Sequence, residues 1–229
     1  MKAILILATA LAFAAAPTSA QRTAKANEDG TLYCSNAETT VRELPNGGHA
    51  VNYSQALNGD PGKIRYAEGV PVLFDIPSPV VDLFYSAKWD DAAGAPEYFS
   101  ASTITGTFGS WERGRERPAD GLRIVIESGG LKSPPLTVAT AARDGGYLSA
   151  ALVSPRNALD DNDTEVEWDR VGALADSLIK RGGTLTLTDN GRVIATVQIP
   201  PSAPEAGRPA AVAFAVKALP FLSEGKCPR

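Results

Sequence analysis

Two serine–lysine pairs stand at the spacing used by serine penicillin-recognising enzymes: Ser177-Leu178-Ile179-Lys180 and Ser223-Glu224-Gly225-Lys226. On a helix that spacing sets the amine one turn from the hydroxyl, where a lysine can take the serine's proton. The partner motifs Ser-Asp-Asn and Lys-Thr-Gly are absent, and two matches in one chain show how readily the pattern arises. The commoner reading makes Ser177 a small helix residue and Lys180 a charge at the helix end. His49, in "NGGHAV", is the sole histidine, so a Ser-His-Asp triad would have to use it. No Gly-x-Ser-x-Gly elbow supplies the serine, and an imidazole just after a Gly-Gly turn reads as a surface or strand-end residue. A single histidine also excludes any site needing two imidazole ligands.

Three further groups could bind rather than react. The acidic run "DDNDTEVEWD", 160–169, offers oxygen ligands for calcium. It departs from an EF-hand loop, because Val166 stands where the glycine belongs, and acids ahead of a helix also favour its dipole without a metal. Arg113, Arg115 and Arg117 in "WERGRERP" could grip an anionic partner, but Glu112 and Glu116 cancel part of that field and a solvated linker serves as well. Phe84, Tyr85, Trp89, Tyr98, Phe99, Phe108 and Trp111 could stack on a carbohydrate. Their mixed alternation fits core packing better. No cofactor or metal is implied.

The elements that must position these residues are mostly strands. Turn signals recur at Asp29-Gly30, Asn46-Gly47-Gly48, Gly59-Asp60-Pro61-Gly62, Asp120-Gly121, Asp144-Gly145-Gly146 and Asn190-Gly191. Between them lie runs rich in Val, Ile, Tyr, Phe and Thr, the mark of antiparallel strands. Strands are expected near 38–44, 49–54, 70–76, 98–109, 122–127, 135–141 and 146–153. In Val81–Trp89, period-two alternation puts Val81, Leu83, Tyr85, Ala87 and Trp89 on a core face. The charged stretch 110–121 separates two strand-rich halves, so one domain and two both fit the pattern.

The clearest helix covers 165–181. Thr164 and Glu167 have capping-box spacing, and Trp168, Val171, Leu174, Ala175 and Leu178 form one apolar stripe. Lys180 and Arg181 suit the negative end of its dipole, and Gly182 stops it. A hairpin follows. A three-residue Asp189-Asn190-Gly191 loop, with Thr188 opposite Arg192, gathers Leu185, Leu187, Val193, Ala195, Val197 and Ile199 on one face. A second helix is expected over 209–219, with Val212, Ala215, Val216 and Leu219 as its stripe, because alanine favours helix over strand.

Met1-Lys2, an apolar run from Ala3 to Ala16 and the exit Pro17-Thr18-Ser19-Ala20 have the order of a secretory signal peptide. The run is short for a membrane span. Cleavage after Ala20 leaves 209 residues, a loose polar segment over 21–30 and a β-rich domain over 31–229. The charge of −4 becomes −5 with the loss of Lys2. Such a balance gives no basic footprint for nucleic acid. The alanine-rich leader looks bacterial, which places the mature chain in a periplasm or outside the cell.

Export also explains the cysteines. Cys34 and Cys227 are the only two, 193 positions apart. In an oxidising compartment two thiols have one intramolecular partner each, so Cys34 and Cys227 should form a structural bridge. Closing so long a loop stabilises by about 5 kcal/mol on the chain-entropy model. It requires the two ends of the mature fold to lie side by side.

The C-terminal residues "LADSLIKRGGTLTLTDNGRVIATVQIP" followed by "AAVAFAVKAL" resemble the tail of invasion-associated locus B-type proteins. The resemblance covers about 60 residues and rests on the order helix, glycine stop, hairpin, loop, alanine-rich helix. The family's internal cysteines are missing here. It implies a small exported envelope protein with a β-rich fold and no established catalytic site. The expected fold is therefore mainly β (α+β), an antiparallel β-sandwich-like domain with a C-terminal helix–hairpin–helix segment. The expected role is a non-catalytic envelope accessory or binding module with an envelope protein or glycan as partner. The alternative is a hydrolase using dispersed carboxylates or Ser177.

Overall fold

Alternation of apolar and polar residues along Val80–Asp90 builds the central strand of the larger sheet. Val81, Leu83, Tyr85, Ala87 and Trp89 are all buried, as the period-two pattern requires. The structure, a computed structural model, describes residues 21–45, 47–60, 63–68, 74–75, 79–111, 121–140, 147–154, 164–202 and 207–228. The leader 1–20, most of the strand expected over 70–76, the arginines 113, 115 and 117, and the start of the acidic run fall outside these residues.

In chain order the strands are β1 (Arg22–Thr23), β2 (Lys25–Ala26), β3 (Leu32–Ser35), β4 (Thr39–Glu43), β5 (His49–Asn58), β6 (Arg65–Tyr66), β7 (Phe74–Asp75), β8 (Val80–Asp90), β9 (Ala95–Pro96) and β10 (Ser100–Trp111). They continue as β11 (Leu122–Ser128), β12 (Leu131–Lys132), β13 (Leu136–Thr137), β14 (Ala139–Thr140), β15 (Tyr147–Val153) and β16 (Thr164–Glu165). Helix α1 (Trp168–Arg181), strands β17 (Gly183–Asp189) and β18 (Arg192–Ile199), helix α2 (Arg208–Leu222) and strand β19 (Lys226–Cys227) complete the chain. The architecture is mainly β, with two helices and almost wholly antiparallel pairing among the described residues; β15 and β16 run parallel.

The larger sheet has the order β14-β15-β10-β8-β5-β4-β3-β2, and the smaller β12-β11-β17-β18-β6. The run 135–141 is not one strand. It breaks at Val138, so that β13 joins the smaller sheet and β14 the larger. One core cluster takes residues from both sides of 110–121, including Leu83, Ile104 and Phe108 from one half and Ile124, Leu178 and Leu187 from the other. The sheets approach closely at Gly106, where a Cβ would lie 2.7 Å from Leu185 Cδ1.

A second, smaller cluster holds Val41, Val51, Ala87 and Trp89 against Ala215, Ala218 and Leu222 of α2. Cys34 and Cys227 lie within it with their Cα atoms 5.5 Å apart, inside the range of a disulfide. The segment expected to be loose, 21–30, instead carries β1 and β2, which pair with β19 and β3. Arg22 stands opposite Cys227, so the same junction that joins the ends supplies the pairing partner.

Three local expectations need correction. Helix α1 starts at Trp168, and Glu167 caps it without a side-chain hydrogen bond. Thr164 and Glu165 are drawn into β16, and the Val166 N–H donates to the Val153 carbonyl, so the capping box never forms. The hairpin turns on two residues, with Asp189 opposite Arg192 and Thr188 opposite Val193. Asn190 and Gly191 have φ of 47° and 81°, the paired left-handed geometry whose twist suits two-residue hairpins. A bulge beyond Thr188 then restores Leu187 opposite Ala195, which buries Ile194 and leaves Val193 45% exposed. Helix α2 extends to Arg208–Leu222 and buries Ala211, Ala215, Ala218 and Leu222; of the expected stripe Val212, Ala215, Val216 and Leu219, Ala215 alone is fully buried. Small side chains let the helix lie close to the strands near the cysteines, and Val216 is 50% exposed.

Candidate functional site

Glycines 129 and 130, with φ of 57° and 85°, join β11 to β12 in a two-residue turn. The turn sets Glu127 opposite Lys132. On its other edge β11 pairs with β17, which sets Glu127 opposite Thr184. Thr184 stands opposite Gln198 of β18, and the Asp60 N–H donates to the Gln198 carbonyl at 3.1 Å. Lys132, Glu127, Thr184, Gln198 and Asp60 thus form one row across neighbouring strands and the segment at Asp60. Their neighbours Ile126, Leu185 and Val197 are buried, so alternation turns the row away from the core.

The row lines a cleft of about 710 Å³ together with Lys63, Arg181, Gly183, Pro200 and Pro201. Lys132 Nζ lies 2.5 Å from Glu127 Oε1, and Lys63 Nζ lies 3.3 Å from Asp60 Oδ2. Arg181 is exposed and has no ion-pair partner among the described residues. Its stem rests on the turn: a Cβ at Gly129 would sit 3.1 Å from Arg181 Cδ. A smaller cleft of about 350 Å³ lies across the turn, between Leu131, Lys132 and the α1 residues Arg170, Ala173 and Leu174.

Behind the turn lies Ser177. Ser128 Oγ is 2.5 Å from the Gly182 carbonyl oxygen and 2.8 Å from Ser177 Oγ. A hydroxyl carries one proton. Ser128 is the donor in both contacts, so its one proton is shared between the Gly182 carbonyl and Ser177 Oγ. No lysine or histidine nitrogen is hydrogen-bonded to Ser177 among the described residues, and Lys180 is exposed. The second pair is no closer to a site: Ser223 donates to the Pro220 carbonyl and Lys226 pairs with Glu224.

His49 Nδ1 lies 2.8 Å from Asp91 Oδ1, an exposed pair. No serine hydroxyl is hydrogen-bonded to the ring among the described residues. Of the aromatics, Tyr85, Trp89 and Phe108 are buried, whereas Phe84 and Tyr98 are exposed. Tyr53, Tyr85 and Phe99 stack within 5.7–6.2 Å of each other. Arg208 lies over the Tyr85 ring at 4.5 Å and reaches Asp176 Oδ1 at 2.6 Å, tying the first turn of α2 to α1. Burial pushes the Tyr85 hydroxyl up from the ordinary tyrosine range.

No family model matches the chain, and neither a curated protein nor a solved structure matches it significantly. Among the described residues no group of three or more His, Cys, Asp or Glu side chains gathers to hold a metal ion, and no helix is long and apolar enough to cross a membrane.

None of the row was singled out by the sequence. Its members stand at 60, 127, 132, 184 and 198, with no local motif. The one local signal was Ser128-Gly129-Gly130, a turn directly after the β-branched run Ile124–Ile126.

Proposed function

We propose that this is an exported, non-catalytic binding module of a bacterial envelope, with the polar cleft across β12, β11, β17 and β18 as its recognition site. The observation that carries this reading is the cleft. It gathers five charged side chains, a threonine hydroxyl and an amide on one open face, and one guanidinium there has no ion-pair partner among the described residues. Ser177 and His49 are each engaged by a neighbour that does not make a nucleophile, which favours binding over hydrolysis. Export is supported by the order of charge, apolar run and small residues over 1–20, and by two distant cysteines brought within disulfide reach. The resemblance of the C-terminal segment to invasion-associated locus B-type proteins points the same way. The scaffold of this reading is an antiparallel sandwich-like body whose C-terminal helix, hairpin and helix frame one end.

Expression of the full chain in a Gram-negative bacterium tests it. The reading expects release by osmotic shock, an N-terminus at Gln21 and no free thiol under non-reducing alkylation. Retention in the cytoplasm would overturn export. Labelling of Ser177 by a serine-reactive phosphonate, lost in Ser177→Ala, would overturn the non-catalytic part.

A further inference from the structure

We infer that the cleft binds an acidic oligosaccharide, laid across the strands, whose carboxylate is taken by Arg181. The inference rests on the cleft being the recognition site proposed above. The geometry argues first. The row crosses strands rather than following one, and spans about 19 Å at the usual strand spacing. The backbone groups beneath it are already paired: β11 with β12 and β17, β17 with β18, and Gln198 with Asp60. A peptide laid across the row therefore finds no free strand edge within it; the open edge of this sheet is at β12, parallel to the strands and not across them.

The lining argues second. Thr184 and Gln198 each both donate and accept, and each lysine ammonium keeps donors beyond its one ion-pair contact. A sugar hydroxyl, itself donor and acceptor, suits such a row. The apolar lining stands at the two ends, Leu131 at one and Ile199, Pro200 and Pro201 at the other, and Ile199 is itself buried in the core. Pro200 is exposed and can meet the C–H face of a ring.

Charge argues third. Lys132 and Lys63 are matched by Glu127 and Asp60, so the surplus cation is Arg181. A guanidinium binds a carboxylate through two parallel hydrogen bonds, which a lysine cannot copy. The Gly182 carbonyl, at the negative end of α1, is satisfied by Ser128 and adds little repulsion.

Calorimetric titration of the chain from Gln21 onward with a galacturonic acid tetrasaccharide tests the inference. A β-linked glucose tetrasaccharide is the neutral control and tetraglutamate the peptide control. The expected result is saturable binding of the acidic sugar, about tenfold weaker for Arg181→Ala and intermediate for Arg181→Lys. Gln198→Ala should also weaken it, while His49→Ala leaves it unchanged and the thermal midpoint of Arg181→Ala stays at the wild-type value. Equal binding by wild type and Arg181→Ala, tighter binding of tetraglutamate, or no saturable binding of the acidic sugar would each overturn the inference. In the last case, export with intact cysteine pairing would still stand, so the ligand class would be wrong rather than the compartment.

Discussion

On one side of the β11–β12 turn, two serines close on each other and on the Gly182 carbonyl. On the other side, Lys132, Glu127, Thr184, Gln198 and Asp60 open to solvent. Both sides are polar and both are brought together by the same strands. Polarity alone therefore does not mark a recognition surface. What separates them is spare capacity: Ser128 commits its proton to Ser177 and the chain, whereas the open face keeps spare lysine donors and, beside the row, the Arg181 guanidinium with no ion-pair partner among the described residues.

The largest expected effect falls on the element that braces the closed side. Leu178 is fully buried on α1, and Leu178→Ala should cost about 2–5 kcal/mol in denaturant unfolding through lost contacts and a residual cavity. A loss below about 1 kcal/mol would mean that α1 does not hold the turn. Removing the bridge by Cys34→Ser with Cys227→Ser should also cost about 2–5 kcal/mol, more often near the lower figure because the alanine-lined cluster retains its packing. The same thermal midpoint for wild type with and without reductant would contradict it.

The closed side itself can be divided. Ser128→Ala should cost about 1–3 kcal/mol, since it strands both the Gly182 carbonyl and the Ser177 hydroxyl. Ser177→Ala should cost less, because Ser128 keeps its bond to the carbonyl. The reverse order would place Ser177 at the centre of the pair. The open side offers the contrast: Arg181→Ala should leave stability within about 0.5 kcal/mol of wild type.

The smallest effect concerns a carboxylate unlike those of the cleft. Asp82, half-buried on the outer face of β8, has no ion-pair partner among the described residues, and burial raises its pKa. The folded state then holds the proton more tightly than the unfolded state. Its charged form destabilises the fold at neutral pH, and stability should rise as pH falls through the raised folded value towards the ordinary Asp value. Asp82→Asn should therefore stabilise at pH 7 and make no difference well below the ordinary Asp range. Glu127→Gln, whose partner is Lys132, should give no such gain at pH 7. Unfolding curves at several pH values decide both.

How much of this could be read beforehand follows from the range of the forces. The face of Val81–Trp89, the stop at Gly182 and the pairing of Cys34 with Cys227 were legible, because alternation, a left-handed stop and a two-thiol chain each carry their own constraint. The start of α1 was not, because a strand pairing with β15 took Thr164 and Glu165 before a cap could form. The hairpin parity was right along Leu185 and Leu187, but the bulge that buries Ile194 depends on the turn's twist and not on the apolar pattern. In α2 the alanines won the interior because the space beside Cys227 is narrow, a fact of packing that a hydropathy stripe does not contain. The cleft was the least legible of all, being a row made by register between strands far apart in sequence.

Amide chemical-shift mapping of the labelled chain during titration with the galacturonic acid tetrasaccharide tests the central claim most directly. The account predicts that the shifts concentrate at Glu127, Gly130, Lys132, Thr184 and Gln198, with Ser223, His49 and Asp91 unmoved. Shifts centred on His49 and Asp91, or on Lys180 with the cleft residues silent, would contradict it.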